Sequence, residues 1–318
     1  MHRLLMVGLL LCLSYTLHAQ SVQERHWLEP APAYSSTRFW TVTGGMSATF
    51  GGALVALNEY WYKDYPRGPW HWKNDWNGWL QMDKAGHVFN GYFFSYWVGK
   101  MYRWTGMPQR KAALVGGSVG FLMLSSVEWL DGYSTQWGAS AYDLLFNGLG
   151  SGLAIGQELA WQEQRIQLKI SAFPQSIPAG LEERTRSLYG TTIAELVLKD
   201  YNALTVWAST NVASFLPKDH WWPKWLNVAV GYGADGLYGA EENRWCSSGD
   251  CPPNAFIDRS DIPRLRQYYL SLDVDLSRIP SRKPWVKTLL GMVNLIKIPA
   301  PALMLDSDGQ VRFYPIYF

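Results

Sequence analysis

The sequence predicts an α+β protein: an N-terminal, membrane-associated four-helix bundle followed by a smaller β-rich C-terminal region. Three observations predict it. Four apolar segments of helical length fill residues 39–161, and three of them carry small residues at four-residue spacing. Past residue 170 the chain changes to a proline-bearing stretch and then to β-like runs, with an Asp308-Gly309 hairpin signal between the last two. Finally, 17% of the 318 residues are charged and 15% aromatic, against about 25% charged in typical soluble domains. Eighteen Trp and eighteen Tyr favour a membrane–water boundary, where rings with an apolar body and a polar edge are at home. A net charge of +2 gives no field that would hold nucleic acid, so no such partner is expected.

In chain order, residues 1–19 read as a secretory signal peptide. A basic start precedes an apolar run, and Ala19 supplies the small residue before Gln20. Leu11 stands before Cys12 where a lipoprotein signal has a small residue, so no lipid anchor is expected there. The exported chain keeps Cys246 and Cys251, whose tight loop in an oxidising compartment predicts a disulfide between them.

Residues 20–170 form the expected helical domain, with helices at 39–57, 87–104, 112–130 and 142–161. Gly44, Ala48, Gly52 and Ala56 mark the first, Gly116 and Gly120 the third, and Gly148, Gly152 and Gly156 the fourth. Such stripes let helix backbones approach closely, as helices packed in lipid do. Between the first two helices, Trp61, Trp70, Trp72, Trp76 and Trp79 lie among Pro66, Gly68 and Pro69, which reads as an interfacial loop. Basic residues divide evenly between the two ends of the helices, so no orientation follows.

Residues 171–190 read as a linker and 191–318 as the β-rich region. The latter has a short helix at 191–199, strands at 226–232, 268–276, 301–305 and 311–318, and an amphipathic helix at 285–296. Gly231, Gly233, Asp235 and Gly236 read as turn chemistry. Residues 217–223, with His220, Trp221 and Trp222, look interfacial. The last strand ends in Phe318 and faintly resembles the terminal signal of outer-membrane barrels. Four strand candidates fall short of the eight or so of the smallest barrels, so a hairpin strand packed on the bundle is expected.

Ionisable groups are costly in apolar helices and need a partner or a purpose. Here they gather. The second helix opens with Asp83, Lys84 and His87; the third ends with Glu128 and Asp131; the fourth opens with Ser140, Asp143 and Asn147. In an antiparallel bundle those three ends coincide, so one polar cluster is expected. Three readings apply to it. The structural one, placed first, makes Asp83 and Ser140 N-caps and has the others pin the bundle by buried hydrogen bonds. A metal reading uses Asp83, His87, Glu128 and Asp143 as ligands of a divalent ion. An acid–base reading orients His87 by a carboxylate. No zincin, nucleophile-elbow, Walker or dinucleotide-binding motif is present.

The order Asp83-Lys84-x-x-His87, Glu128 with Asp131, Gly138-x-Ser140-x-x-Asp143 and Asn147-x-x-Gly150 resembles the YfiM-like family, bacterial periplasmic lipoproteins with no assigned activity. The likeness covers residues 58–170. A more distant one is to VanZ-like membrane proteins, which are linked to glycopeptide resistance. The resemblance implies an exported cell-envelope protein. A structural or ligand-binding component is therefore expected, associated with membrane lipid on the periplasmic side. Cell-wall or other envelope components are further expected partners. The rival is a metal-assisted hydrolase acting on lipid or cell-wall material.

Overall fold

A computed structural model describes residues 27–318, apart from 61, 174, 193–194, 196–198 and 247–255. The signal segment, Cys251 and most of the helix expected at 191–199 lie outside the described residues. The four expected helices are Ser36–Tyr60 (α1), Met82–Trp104 (α2), Gln109–Asp131 (α3) and Ala141–Ala160 (α4).

The close-packed unit is α2, α3 and α4, because that is where the glycines meet backbone. A Cβ on Gly116 would come within 2.2 Å of Gly99, and one on Gly150 within 2.1 Å of the Val88 carbonyl. By contrast Gly44 and Gly52 of α1, and Gly152 and Gly156 of α4, face nothing within 4 Å. The α1 stripe and much of the α4 stripe are therefore not helix contacts. Helix α1 leans on the unit through Phe39, Val42 and Met46, beside Val98, Tyr102 and Met107.

The Trp-rich loop folds back over the α3–α4 turn. Gly68 N–H donates to Tyr133 O (3.0 Å) and Lys73 N–H to Ala139 O (2.9 Å). Trp70 packs on Trp129 and Trp79 on Tyr201, while Trp72 and Trp76 remain exposed.

The C-terminal region holds six antiparallel strands: Ile166–Ala172 (β1), Leu204–Thr210 (β2), Leu226–Asp235 (β3), Leu265–Val274 (β6), Ala300–Asp306 (β7) and Val311–Tyr317 (β8), neighbours in that order. A separate pair, Arg244–Cys246 (β4) and Phe256–Asp258 (β5), projects from it. Cys246 is disulfide-bonded. Two short α-helices, Glu182–Tyr189 (α5) and Pro284–Val293 (α6), are also present among the described residues.

The end of the expected helical domain and the stretch read as linker thus contain β1 and α5. Strand β1 was hidden because its buried face is polar: Gln167, Lys169 and Ser171 point inward. Gly231 and Gly233 lie within β3, not in a turn. A Cβ at Gly231 would stand 2.8 Å from the Trp207 ring, which fills that space. Strand β8 pairs with β7 and does not pack on the helices; its Tyr317 enters the sheet core with Trp207 and Tyr269. The outer face of β1 and β2 rests on α2 and α4, where Leu168, Ile170 and Val206 meet Phe89, Tyr92 and Ala154.

Candidate functional site

The cluster forms where the start of α2, the end of α3, the start of α4 and the Trp-rich loop converge. Helix α4 starts there because Ser140 caps it, its Oγ accepting from Asp143 N–H (3.1 Å). Asp83 is not a cap; it lies within the first turn of α2, whose N-cap is Gln81. Trp79, Leu80 and Gln81 all have positive φ (52°, 48° and 63°). Each such non-glycine residue costs on the order of 1 kcal/mol and persists only when its surroundings impose it. The β-rich region imposes it here. Trp79 N–H donates to Ala240 O (2.6 Å), Tyr232 Oη donates to Leu80 O, and Arg266 Nη2 donates to Gln81 Oε1 (2.8 Å).

Two halves can be distinguished. In the first, the fully buried Lys84 ammonium donates to Asp75 Oδ2 (2.5 Å), Asp143 Oδ1 (2.5 Å) and Asp83 Oδ2 (2.9 Å). Ser140 Oγ donates to the other oxygen of Asp75 (2.6 Å). In the second half, His87 Nδ1 donates to Asn147 Oδ1 (3.0 Å). Its Nε2 faces Asp143 Oδ1 at 3.4 Å, Asp83 Oδ1 at 3.6 Å and Glu128 Oε1 at 3.8 Å. Donor atoms of Asp83, His87 and Asp143 all lie within 4.8 Å of one another. Asn147 Nδ2 is buried without a hydrogen-bond partner.

Seven of the eight expected residues therefore meet. Asp131 sits alongside, its Oδ1 accepting from Tyr62 Oη (2.6 Å) and Trp137 Nε1 (2.5 Å). Sequence reasoning missed Asp75, Tyr62, Trp137 and Tyr201, whose hydroxyl donates to Asp83 Oδ1 (3.1 Å). All four come from segments without helical periodicity, so no spacing pointed to them.

The carboxylates differ in charge state. Burial, with Asp143 alongside, pushes the Glu128 carboxyl up to about 9. Burial and then Asp83 push Asp143 up to about 7, against the opposing pull of His87 and Lys84. Asp75 goes the other way: burial would raise it, but hydrogen bonds from Lys84 and Ser140 hold it below the usual carboxylate range. Lys84 is raised because its acidic neighbours outweigh burial. The site opens to solvent through a cleft of about 120 Å³ between α2 and the sheet, walled by Asp83, His87, Asn90, Tyr201 and Val206.

Residues 70–157 match the family model described as "Predicted periplasmic lipoprotein (DUF2279)". That family segment is less than a third of the chain, yet it holds every residue of the cluster except Tyr62 and Tyr201. The match supports an exported cell-envelope protein of unassigned activity. No curated protein and no solved structure matches the chain.

Proposed function

We propose that this chain is a membrane-associated envelope protein whose helical domain holds a divalent cation at the His87 face of its cluster. The Lys84 face, on this reading, ties the helix ends together. One observation carries the proposal. With Nδ1–H donated to Asn147, His87 turns its Nε2 toward oxygens of Asp143, Asp83 and Glu128 at 3.4, 3.6 and 3.8 Å. Glu128 keeps its proton at neutral pH, and the donor atoms of Asp83, His87 and Asp143, all within 4.8 Å of one another, form the part of the site shaped for a cation. Metal-bound histidines commonly donate their other N–H to an oxygen, as His87 does to Asn147. Imidazole with carboxylates is a donor set for first-row divalent ions. Asp83, His87 and Asp143 would be ligands, with Glu128 joining on loss of its proton. These residues also carry the resemblance to the YfiM-like and VanZ-like groups.

The cleft favours ion binding over hydrolysis. At about 120 Å³ it is well below the 300–1,000 Å³ or so of small-molecule sites, and a lipid or cell-wall substrate needs such room. Membrane lipid is the partner we propose on the periplasmic side. An apolar groove of about 690 Å³ between α1 and α2, lined by Val42, Met46, Phe50, Phe94, Trp97 and Met101, supports this.

The test is the melting temperature of the full chain with EDTA, and then with Mn²⁺ or Zn²⁺. A cation that binds only the folded state raises it, and His87→Ala should abolish the response. A wild type indifferent to chelator and to added ions would leave a purely structural cluster. Retention on membranes through a high-salt wash tests the lipid partner separately, since charge-held proteins are released.

A further inference from the structure

Strands β3, β6, β7 and β8 present an outer face of opposite character to that of an ordinary soluble sheet. The cross-strand register places Val230, Leu270, Leu303 and Phe313 in one row, and Tyr232, Tyr268, Leu305 and Val311 in the next. Val228 and Leu272 begin a third. The first row is wholly exposed: Val230 is 57%, Leu270 53%, Leu303 48% and Phe313 63% accessible. Behind it the inward face mixes buried polar residues, Asn227, Gln267, Ser271 and Asp273, with the apolar cluster of Trp207, Tyr269, Met304 and Tyr317. A sheet with one wet face puts its polar side outward; the exposed side of this one is apolar, as in strands facing lipid. Large contiguous exposed apolar patches mark interaction or membrane-contact surfaces.

We infer that this outer face is a lipid-contact surface that seats in the acyl region of one bilayer leaflet. Three features select that occupant. The same sheet face, where covered over β1 and β2, is covered by apolar helix side chains, so its chemistry calls for an apolar neighbour. At the β3 end, Trp221, Trp222 and Trp225 accompany Lys218 and Lys224, and Trp221 is 86% exposed. Trp with Lys beside an apolar band is the signature of a headgroup boundary. Depth is the third feature. From the Val228 row to the Tyr232 row is four residues, about 14 Å at roughly 3.4 Å per residue, or about half of a ~30 Å hydrocarbon core.

The inference rests on the membrane association proposed above, and the experiment separates the two. Leu270→Cys and Leu303→Cys in the full chain would carry a nitroxide, with Asp308→Cys, in the exposed β7–β8 turn, as control. Each is placed in vesicles of phosphatidylethanolamine and phosphatidylglycerol. Flotation of the wild type with vesicles tests the association itself. Labels at 270 and 303 should then show a several-fold gain in collisions with oxygen and a several-fold loss with an aqueous nickel chelate, relative to 308. Flotation with nickel-accessible labels at 270 and 303 overturns the sheet's role alone. Labels shielded from both reagents and broadened by one another overturn it in favour of a second copy covering the face. Leu270→Ser with Leu303→Ser, at positions already exposed, should keep the native circular dichroism and reduce flotation.

Discussion

Lys169 and Asp273, inside the sheet, are both fully buried and lie 2.7 Å apart. Lys84, inside the helical cluster, is as buried but faces Asp75, Asp83 and Asp143 together, with Glu128 and Asp131 close behind. Around the sheet pair every group is answered. Lys169 also donates to Val274 O and Asn294 Oδ1, and Asp273 accepts from Ser209 Oγ and Ile298 N–H. Among the described residues, no buried side-chain polar atom of that network lacks a partner, whereas Asn147 Nδ2 in the helical cluster does. The sheet's network is closed and near charge balance. The helical cluster carries an excess of acid and opens to a cleft. A matched buried network is explained by the fold, and an unmatched one asks for something more.

The largest effect should come from unmatching the matched network. Lys169→Met leaves Asp273 buried and unpaired, which should cost about 3–5 kcal/mol, whereas Lys169→Met with Asp273→Leu should recover most of it. Urea unfolding followed by circular dichroism measures both. A single variant within about 1 kcal/mol of wild type would mean that the pair is not the closed element described here.

Next in size is the coupling between His87 and Glu128. If they share one site, His87→Ala and Glu128→Gln should be non-additive by roughly 0.5–3 kcal/mol in a double-mutant cycle. Additivity would break the cluster into independent parts and remove the contrast with the sheet.

How much of this could be read from the chain follows from the same contrast. Helices α2, α3 and α4 and their convergent ends were legible because Asp83, His87, Glu128, Asp143 and Asn147 are anomalies in apolar helices of regular period. The hairpin at Asp308-Gly309 was legible from turn chemistry, and Gly309 does take a positive φ of 79°. Strand β1 was not, since Gln167, Lys169 and Ser171 look like a solvated surface until the sheet encloses them. Asp75 was not, because a loop has no period to place it. That the Val230–Phe313 face stays exposed although apolar could not be read either, as alternation reports two faces and not which one is buried.

A pH series sharpens the comparison further. With chelator present, the unfolded chain loses the Glu128 proton near its ordinary 4.5 and the folded chain near 9. Between those values the folded state binds more protons, so stability falls as pH rises across the window. Melting temperatures from pH 5 to 9 should show that decline, and Glu128→Gln, permanently neutral, should lessen it. Added divalent cation should stabilise most at the alkaline end, because ligands must be deprotonated to bind it. A wild type and a Glu128→Gln variant with identical slopes would remove Glu128 as the titrating group.

The smallest effect expected is at Ser140, and it tests whether the two halves of the cluster are separate. Its Oγ accepts from Asp143 N–H and donates to Asp75 Oδ1, so it belongs to the Lys84 half and touches neither His87 nor Glu128 through its side chain. Ser140→Ala removes a helix cap and one hydrogen bond to a carboxylate that Lys84 still holds. The loss should be about 1 kcal/mol, the usual value for an N-cap serine. The rise in melting temperature on adding Mn²⁺ or Zn²⁺ should be unchanged, because the His87 face keeps its donors. If Ser140→Ala abolished that rise, the cap would be part of the cation site, and the division into a structural half and a binding half would fail. A loss of stability with an intact cation response is the outcome that division requires.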